Sequence, residues 1–143
     1  MLQRIQTVFL GLSTVSTFGF FGFDAAETEQ AMTGSKLFAD AHFLLFDDIL
    51  LTVIFALAGL IFLADIFLFR NRPLQIKLSN AGVVLTLIGL AYGGFLWFSD
   101  SAAELAEPEP GLALPSMAIV FGILAARSIR KDEKLVRSAD RLR

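Results

Sequence analysis

Polar positions along this chain are gathered between four long apolar blocks, at residues 5–23, 46–69, 78–98 and 112–129. Crossing about 30 Å of hydrocarbon takes roughly 20 helical residues at about 1.5 Å each. The pattern therefore predicts four membrane-spanning helices in a single domain covering residues 1–143, an all-α integral membrane bundle. The segments between the blocks are expected to bury no core of their own, so that any activity belongs to the bundle, the loops or the tail.

Within the blocks, the small residues show how the helices should meet. Lipid supplies no hydrophobic drive between helices, so association rests on close backbone approach and interhelical hydrogen bonds. In the third block Gly82, Thr86, Gly89 and Gly93 fall at helical spacing on one face. Ala118, Gly122 and Ala126 repeat a small-xxx-small spacing in the fourth, and GLSTVSTFGFFG in the first is rich in Gly, Ser and Thr. Those hydroxyls can bond their own helix backbone and need not mark a polar pathway. Pro115 is expected in the first turn of the fourth helix, where a missing N–H costs little.

Composition agrees with the pattern: 143 residues are 55% hydrophobic, with mean hydropathy +0.67. There is no cysteine, which removes disulfide frameworks, thiolate catalysis and sulfur-ligated clusters. The net charge of −2 matters less than its distribution. Eleven of the twelve basic residues, all but Lys36, lie at the start of the first block, between the second and third, or after the fourth. The other two connections carry the acids Asp24, Glu27, Glu29, Asp40, Asp100, Glu104, Glu107 and Glu109. Lys and Arg in short flanks set orientation, so both termini are expected in the cytoplasm. A removable signal peptide is the competing reading of the first block, but the block is long for one and GFDAAETEQ offers no small-x-small cleavage site. Tyr92 and Trp97 suit an interfacial belt at the far end of the third block.

Three carboxylates complicate the second block, FDDILLTVIFALAGLIFLADIFLFR. Asp47 and Asp65 share a helical face but stand about 27 Å apart along the axis, so they cannot form one site. Asp47 and Asp48 are expected to cap the second helix at its N-terminus. Asp65 lies about one turn inside the other end, and an isolated charge there would cost about 3 kcal/mol on insertion scales. Pairing with a snorkelling cation, from Arg4, Arg70, Lys77 or Arg127, is the preferred reading. A functional ion or proton site is the alternative.

Catalytic and metal motifs are sparse. His42 in DAHFLLFDD is the single histidine, with Asp40, Asp47 and Asp48 as conceivable co-ligands, but no second His stands at ligand spacing. No glycine-rich phosphate loop or nucleophile elbow occurs. No metal, cofactor or catalytic residue is therefore assigned.

After the fourth block the chain runs on as RSIRKDEKLVRSADRLR, with seven basic and three acidic residues. Glu133 precedes Arg137 by four, a favourable helical pair, so the fourth helix is expected to continue into the tail. Asp132, Glu133 and Asp140 interrupt the basic run and argue against nucleic acid as a partner. The start MLQRIQTVFL, the link FRNRPLQIKLSN and the ending AARSIRKDEKLVRSADRLR together resemble the small four-span membrane proteins of Bacteroidota catalogued as domain-of-unknown-function family 4293. That resemblance covers the whole chain and implies a four-helix inner-membrane protein with no assigned activity. It singles out Arg4, Gln6, Arg70, Asn71, Gln75, Lys77 and residues 131–143.

These features together lead to the expectation of a non-enzymatic accessory or assembly subunit of a larger complex in the bacterial inner membrane. Its contacts with partner or lipid headgroups would be Arg70, Arg72, Lys77, Arg130, Lys131, Lys134, Arg137, Arg141 and Arg143. A small transporter or channel using Asp65 is the rival.

Overall fold

A computed structural model describes residues 2–140 of the chain, with the side chains of residues 5–139. Four helices dominate: α1 (Leu2–Gly19), α2 (Ile49–Phe67), α3 (Arg72–Ser99) and α4 (Ala113–Asp140). Each is long and apolar enough to cross a bilayer. Every helix packs against two others, α1 on α2 and α4, and α3 on α2 and α4. The result is a closed ring of four.

Local chemistry explains where the helices start and stop. Asp48 caps α2, its carboxylate accepting the Leu51 N–H at 2.9 Å, while Asp47 accepts Leu44 N–H at 2.7 Å in the preceding 3-10 turn. A tight turn then joins α2 to α3, with Asn71 N–H on Leu68 O at 2.9 Å. Asn71 Oδ1 caps α3 by accepting Leu74 N–H at 3.3 Å, and Pro73 occupies the first turn. This start precedes the apolar block at residue 78 because cap and proline, not hydropathy, define it. Pro115 sits buried in the first turn of α4, which continues unbroken through the basic segment.

At the opposite end from the α2–α3 turn, the two longer connections meet in a small antiparallel sheet that the sequence pattern does not predict. Its strands, β1 (Ala26–Glu27), β2 (His42–Phe43) and β3 (Glu107–Pro108), lie in the order β2-β1-β3. Ala26 pairs with Phe43 on one side and Pro108 on the other. Both connections therefore lie at one end of the bundle. They also bury a core, contrary to expectation: Ala26, Phe38, Phe43, Leu45 and Ala102 are almost wholly enclosed, continuous with Phe20, Leu51 and Phe55 at the helix ends. Phe20 and Phe55 meet edge to face at 5.1 Å between centroids. Aromatic and aliphatic side chains in the first connection supply what the acidic composition conceals.

Asp100, just past α3, ties the two connections together. Its carboxylate accepts Ser35 Oγ–H at 2.8 Å, Lys36 N–H at 3.2 Å and Leu37 N–H at 3.4 Å from the first, and Ala102 N–H at 2.9 Å from its own turn. Burial works against the charge, but these four donors together lower its pKa below the ordinary carboxylate value.

The middle of the bundle is a smaller apolar cluster of Leu10, Phe62, Val83 and Ala125. Of the predicted packing residues, Gly82, Thr86, Gly89, Ala118, Gly122 and Ala126 are buried and Gly93 is half-buried. A Cβ on Gly82 would stand 2.7 Å from the Phe62 ring, and one on Gly122 would stand 2.6 Å from Val83. Outward-facing positions such as Val15, Ile49, Phe67 and Phe98 are exposed apolar side chains, as a lipid-facing surface requires.

Candidate functional site

A cluster of buried polar residues lies near the end of the bundle that carries the α2–α3 turn. Asp65 on α2 is fully buried. Its face runs through Leu51, Ile54, Ala58 and Phe62, all buried, which directs it into the bundle and not toward lipid. Ser79 of α3 donates its hydroxyl hydrogen to Asp65 Oδ2. Gln75, one turn earlier on α3, donates from Nε2 to the Asp65 backbone carbonyl at 3.0 Å. The cation expected to pair with Asp65 is not found: among the described residues its carboxylate makes no ion pair. The side chain of Arg4 lies outside the described residues. Asp65 Oδ1 and Gln75 Oε1 are both buried without a hydrogen-bond partner among the described residues.

Ser79 and Gln75 were legible as positions but not as partners. They extend the stripe Gly82, Thr86, Gly89, Gly93 backward by one and two turns. Ser79 lies just inside the third apolar block and Gln75 just before it, so following the face back from Gly82 would have reached both. Gln6 of α1 is buried nearby at the same end and donates to Ser128 O on α4 at 3.4 Å. The hydroxyls of Ser13, Thr14, Thr17 and Thr86 instead donate to carbonyls one turn back on their own helices.

Below this cluster a surface groove separates the α2–α3 turn from the last turns of α4. Its cavity of about 520 Å³ is lined by Phe69, Arg70, Arg72, Pro73, Glu133, Val136 and Arg137. Arg72 Nη2 stands 3.1 Å from Asp132 Oδ2, with both side chains largely shielded, so the turn is fastened to α4 by charge. Glu133 and Arg137 form the expected pair at 2.6 Å, and the Arg70 guanidinium carbon lies 5.9 Å from the Phe69 ring centre. Three of the predicted contact residues, Arg70, Arg72 and Arg137, thus share one groove. Lys77, Arg130, Lys131 and Lys134 are exposed but do not line it. Arg141 and Arg143 lie outside the described residues.

At the sheet end, His42 does not join Asp47 and Asp48. Its Nδ1 is 2.7 Å from Asp24 Oδ2 and 3.9 Å from Glu27 Oε2, because β1 and β2 pair Glu27 with His42. One donor atom from each of the three lies within 4.8 Å of the others. Glu109 adds to the negative field, its pKa raised by burial and then by Glu27 and Asp24. All but Asp24 and Glu109 are exposed, and a histidine–aspartate pair accounts for the contact without an ion. A second cavity at this end, about 220 Å³, is apolar throughout, with Phe20, Phe43, Leu51, Phe55, Trp97 and Phe98 among its lining.

A family model described as "Domain of unknown function (DUF4293)" matches residues 2–142. No curated protein and no solved structure matches the chain.

Proposed function

The chain belongs to the DUF4293 family, and from that premise we propose that it is a non-enzymatic accessory or assembly subunit of a larger complex in the bacterial inner membrane. The groove between the α2–α3 turn and the end of α4 carries this reading. It gathers Arg70, Arg72 and Arg137 with Glu133 around Phe69 and Val136. Arg72 and Arg137 already have acidic partners, so among the described residues Arg70 supplies the unpaired cation on a rim over an apolar floor, a mix that suits an acidic, partly apolar protein segment. In this reading the termini and the groove face the cytoplasm, because the eleven basic residues cluster at that end and the acidic connections at the other. The four lipid-facing helices hold the groove at the membrane surface.

A small transporter or channel is the second reading, favoured by Asp65, a buried acid in a span without a cationic partner among the described residues. Against it, Asp65 lines neither the groove, nor the apolar cavity at the sheet end, nor the cavity of about 530 Å³ beside Glu27, Glu104 and Glu107 at that same end.

Affinity purification from native membranes in mild detergent tests the subunit reading. The full chain is expected to bring down a stoichiometric companion that is lost from Arg70→Glu/Arg137→Glu and from a chain ended after Lys131, both still folded by circular dichroism. Purification of the full chain alone, or retention of the companion by both variants, overturns it.

A further inference from the structure

Asp65 and Gln75 leave a shortage that can be counted. An ionised carboxylate only accepts hydrogen bonds, and an amide oxygen only accepts. Ser79 satisfies Asp65 Oδ2, whereas Asp65 Oδ1 and Gln75 Oε1 have no donor among the described residues, although Asp65 is wholly buried and Gln75 is 3% exposed. The amide cannot be turned over to relieve this. Its Nε2 is held by the Asp65 carbonyl at 3.0 Å, and reversing it would set two acceptors against each other.

Among the described residues the surrounding charges do not fill the gap. On α3, Arg72 is engaged with Asp132 of α4 and Lys77 is exposed. On α4, Arg127 and Arg130 are exposed, and past the end of α2 Arg70 lies over Phe69. On α1 the nearby polar side chain is the neutral Gln6, bonded to Ser128 O, and the Arg4 side chain is not among those described. A negative charge enclosed by neutral groups in a bilayer is neutralised or compensated rather than left bare.

We propose that the Asp65–Gln75–Ser79 cluster binds one exchangeable positive charge, a proton or a sodium ion, at Asp65 Oδ1 and Gln75 Oε1. As a proton on Oδ1 it turns the carboxyl into a donor and meets the need of an acceptor such as Gln75 Oε1 in the same step. As sodium it draws on the same hard oxygen donors. Either source makes Asp65 a ligand-binding residue and joins α2 to α3 through the bound charge. The inference stands independently of the groove and of any partner there.

The full chain in lipid nanodiscs provides the test, with sodium chloride exchanged for choline chloride at constant ionic strength. At mildly alkaline pH, where exposed carboxylates are ionised, a bound proton gives an infrared carboxylic-acid band that is absent in Asp65→Asn and shifted in Gln75→Leu. A bound sodium ion gives no such band, but raises the unfolding midpoint when sodium replaces choline, and that rise disappears in Asp65→Asn. Should Asp65→Asn fail to fold, Gln75→Leu still has to shift the band or weaken the sodium response. Absence of both the band and the sodium response in the wild-type chain overturns the proposal, as does a Gln75→Leu variant that leaves the observed one unchanged.

Discussion

Asp100 shows how much one carboxylate can organise when its donors come from different segments. It accepts from Ser35, Lys36 and Leu37 in the first connection and from Ala102 in the second. Its lowered pKa means that the folded state releases this proton more readily than the unfolded chain. The associated stability is present above the ordinary aspartate value of about 3.9 and disappears as pH falls through the lower folded value. Asp100→Ala is expected to cost about 2 kcal/mol and to flatten the acid limb of the stability curve, measured by thermal unfolding across acidic pH. The sequence identified Asp48 as a cap because a carboxylate immediately before an apolar helix has a local reason to be there. It could not identify Asp100 as a clamp, since three of its four partners lie more than 60 positions away. Asp65 failed in the same manner: its place within the span followed from hydropathy, whereas its burial and its partner, Ser79 in place of the expected cation, depended on the register between two helices.

Between helices, close approach rests on glycine meeting phenylalanine. Phe62 fills the space left by Gly82 on α3 and Gly122 on α4, so three helices share one ring. Gly122→Val is expected to cost about 1–3 kcal/mol by overpacking. Phe62→Leu in the same chain should recover part of it, a coupling that a double-mutant cycle on unfolding midpoints would measure. Gly93→Ala serves as the contrasting case, because its added methyl would meet Leu51 at an ordinary 3.5 Å. The small-residue stripe on α3 was readable from spacing alone, since a helix face is a local property. Which bulky side chain would enter it was not. The strands were hidden for a different reason: each is only two residues long and is set by pairing across the chain, with no periodicity of its own.

For the molecule as a whole, the Arg72–Asp132 pair fixes the end of α4 against the α2–α3 turn and gives the groove its shape. Both partners are largely shielded, so breaking the pair should matter more than at an open surface. Arg72→Glu is expected to speed amide hydrogen exchange in residues 130–137, and the exchanged pair Arg72→Glu/Asp132→Arg to restore most of the protection. Four crossing helices and a charge-sorted pair of ends were legible because bilayer thickness and loop charge act on composition, without reference to tertiary detail. The groove was legible only as its separate arginines. The sheet, finally, orders events in time. β1 lies between β2, from the same connection, and β3, which comes more than 60 residues later. During synthesis the edge of β1 that β3 covers therefore stays unfilled at least until α3 and the connection after it have been made. A chain halted after its second helix would present that open edge to whatever factor escorts unfinished membrane proteins.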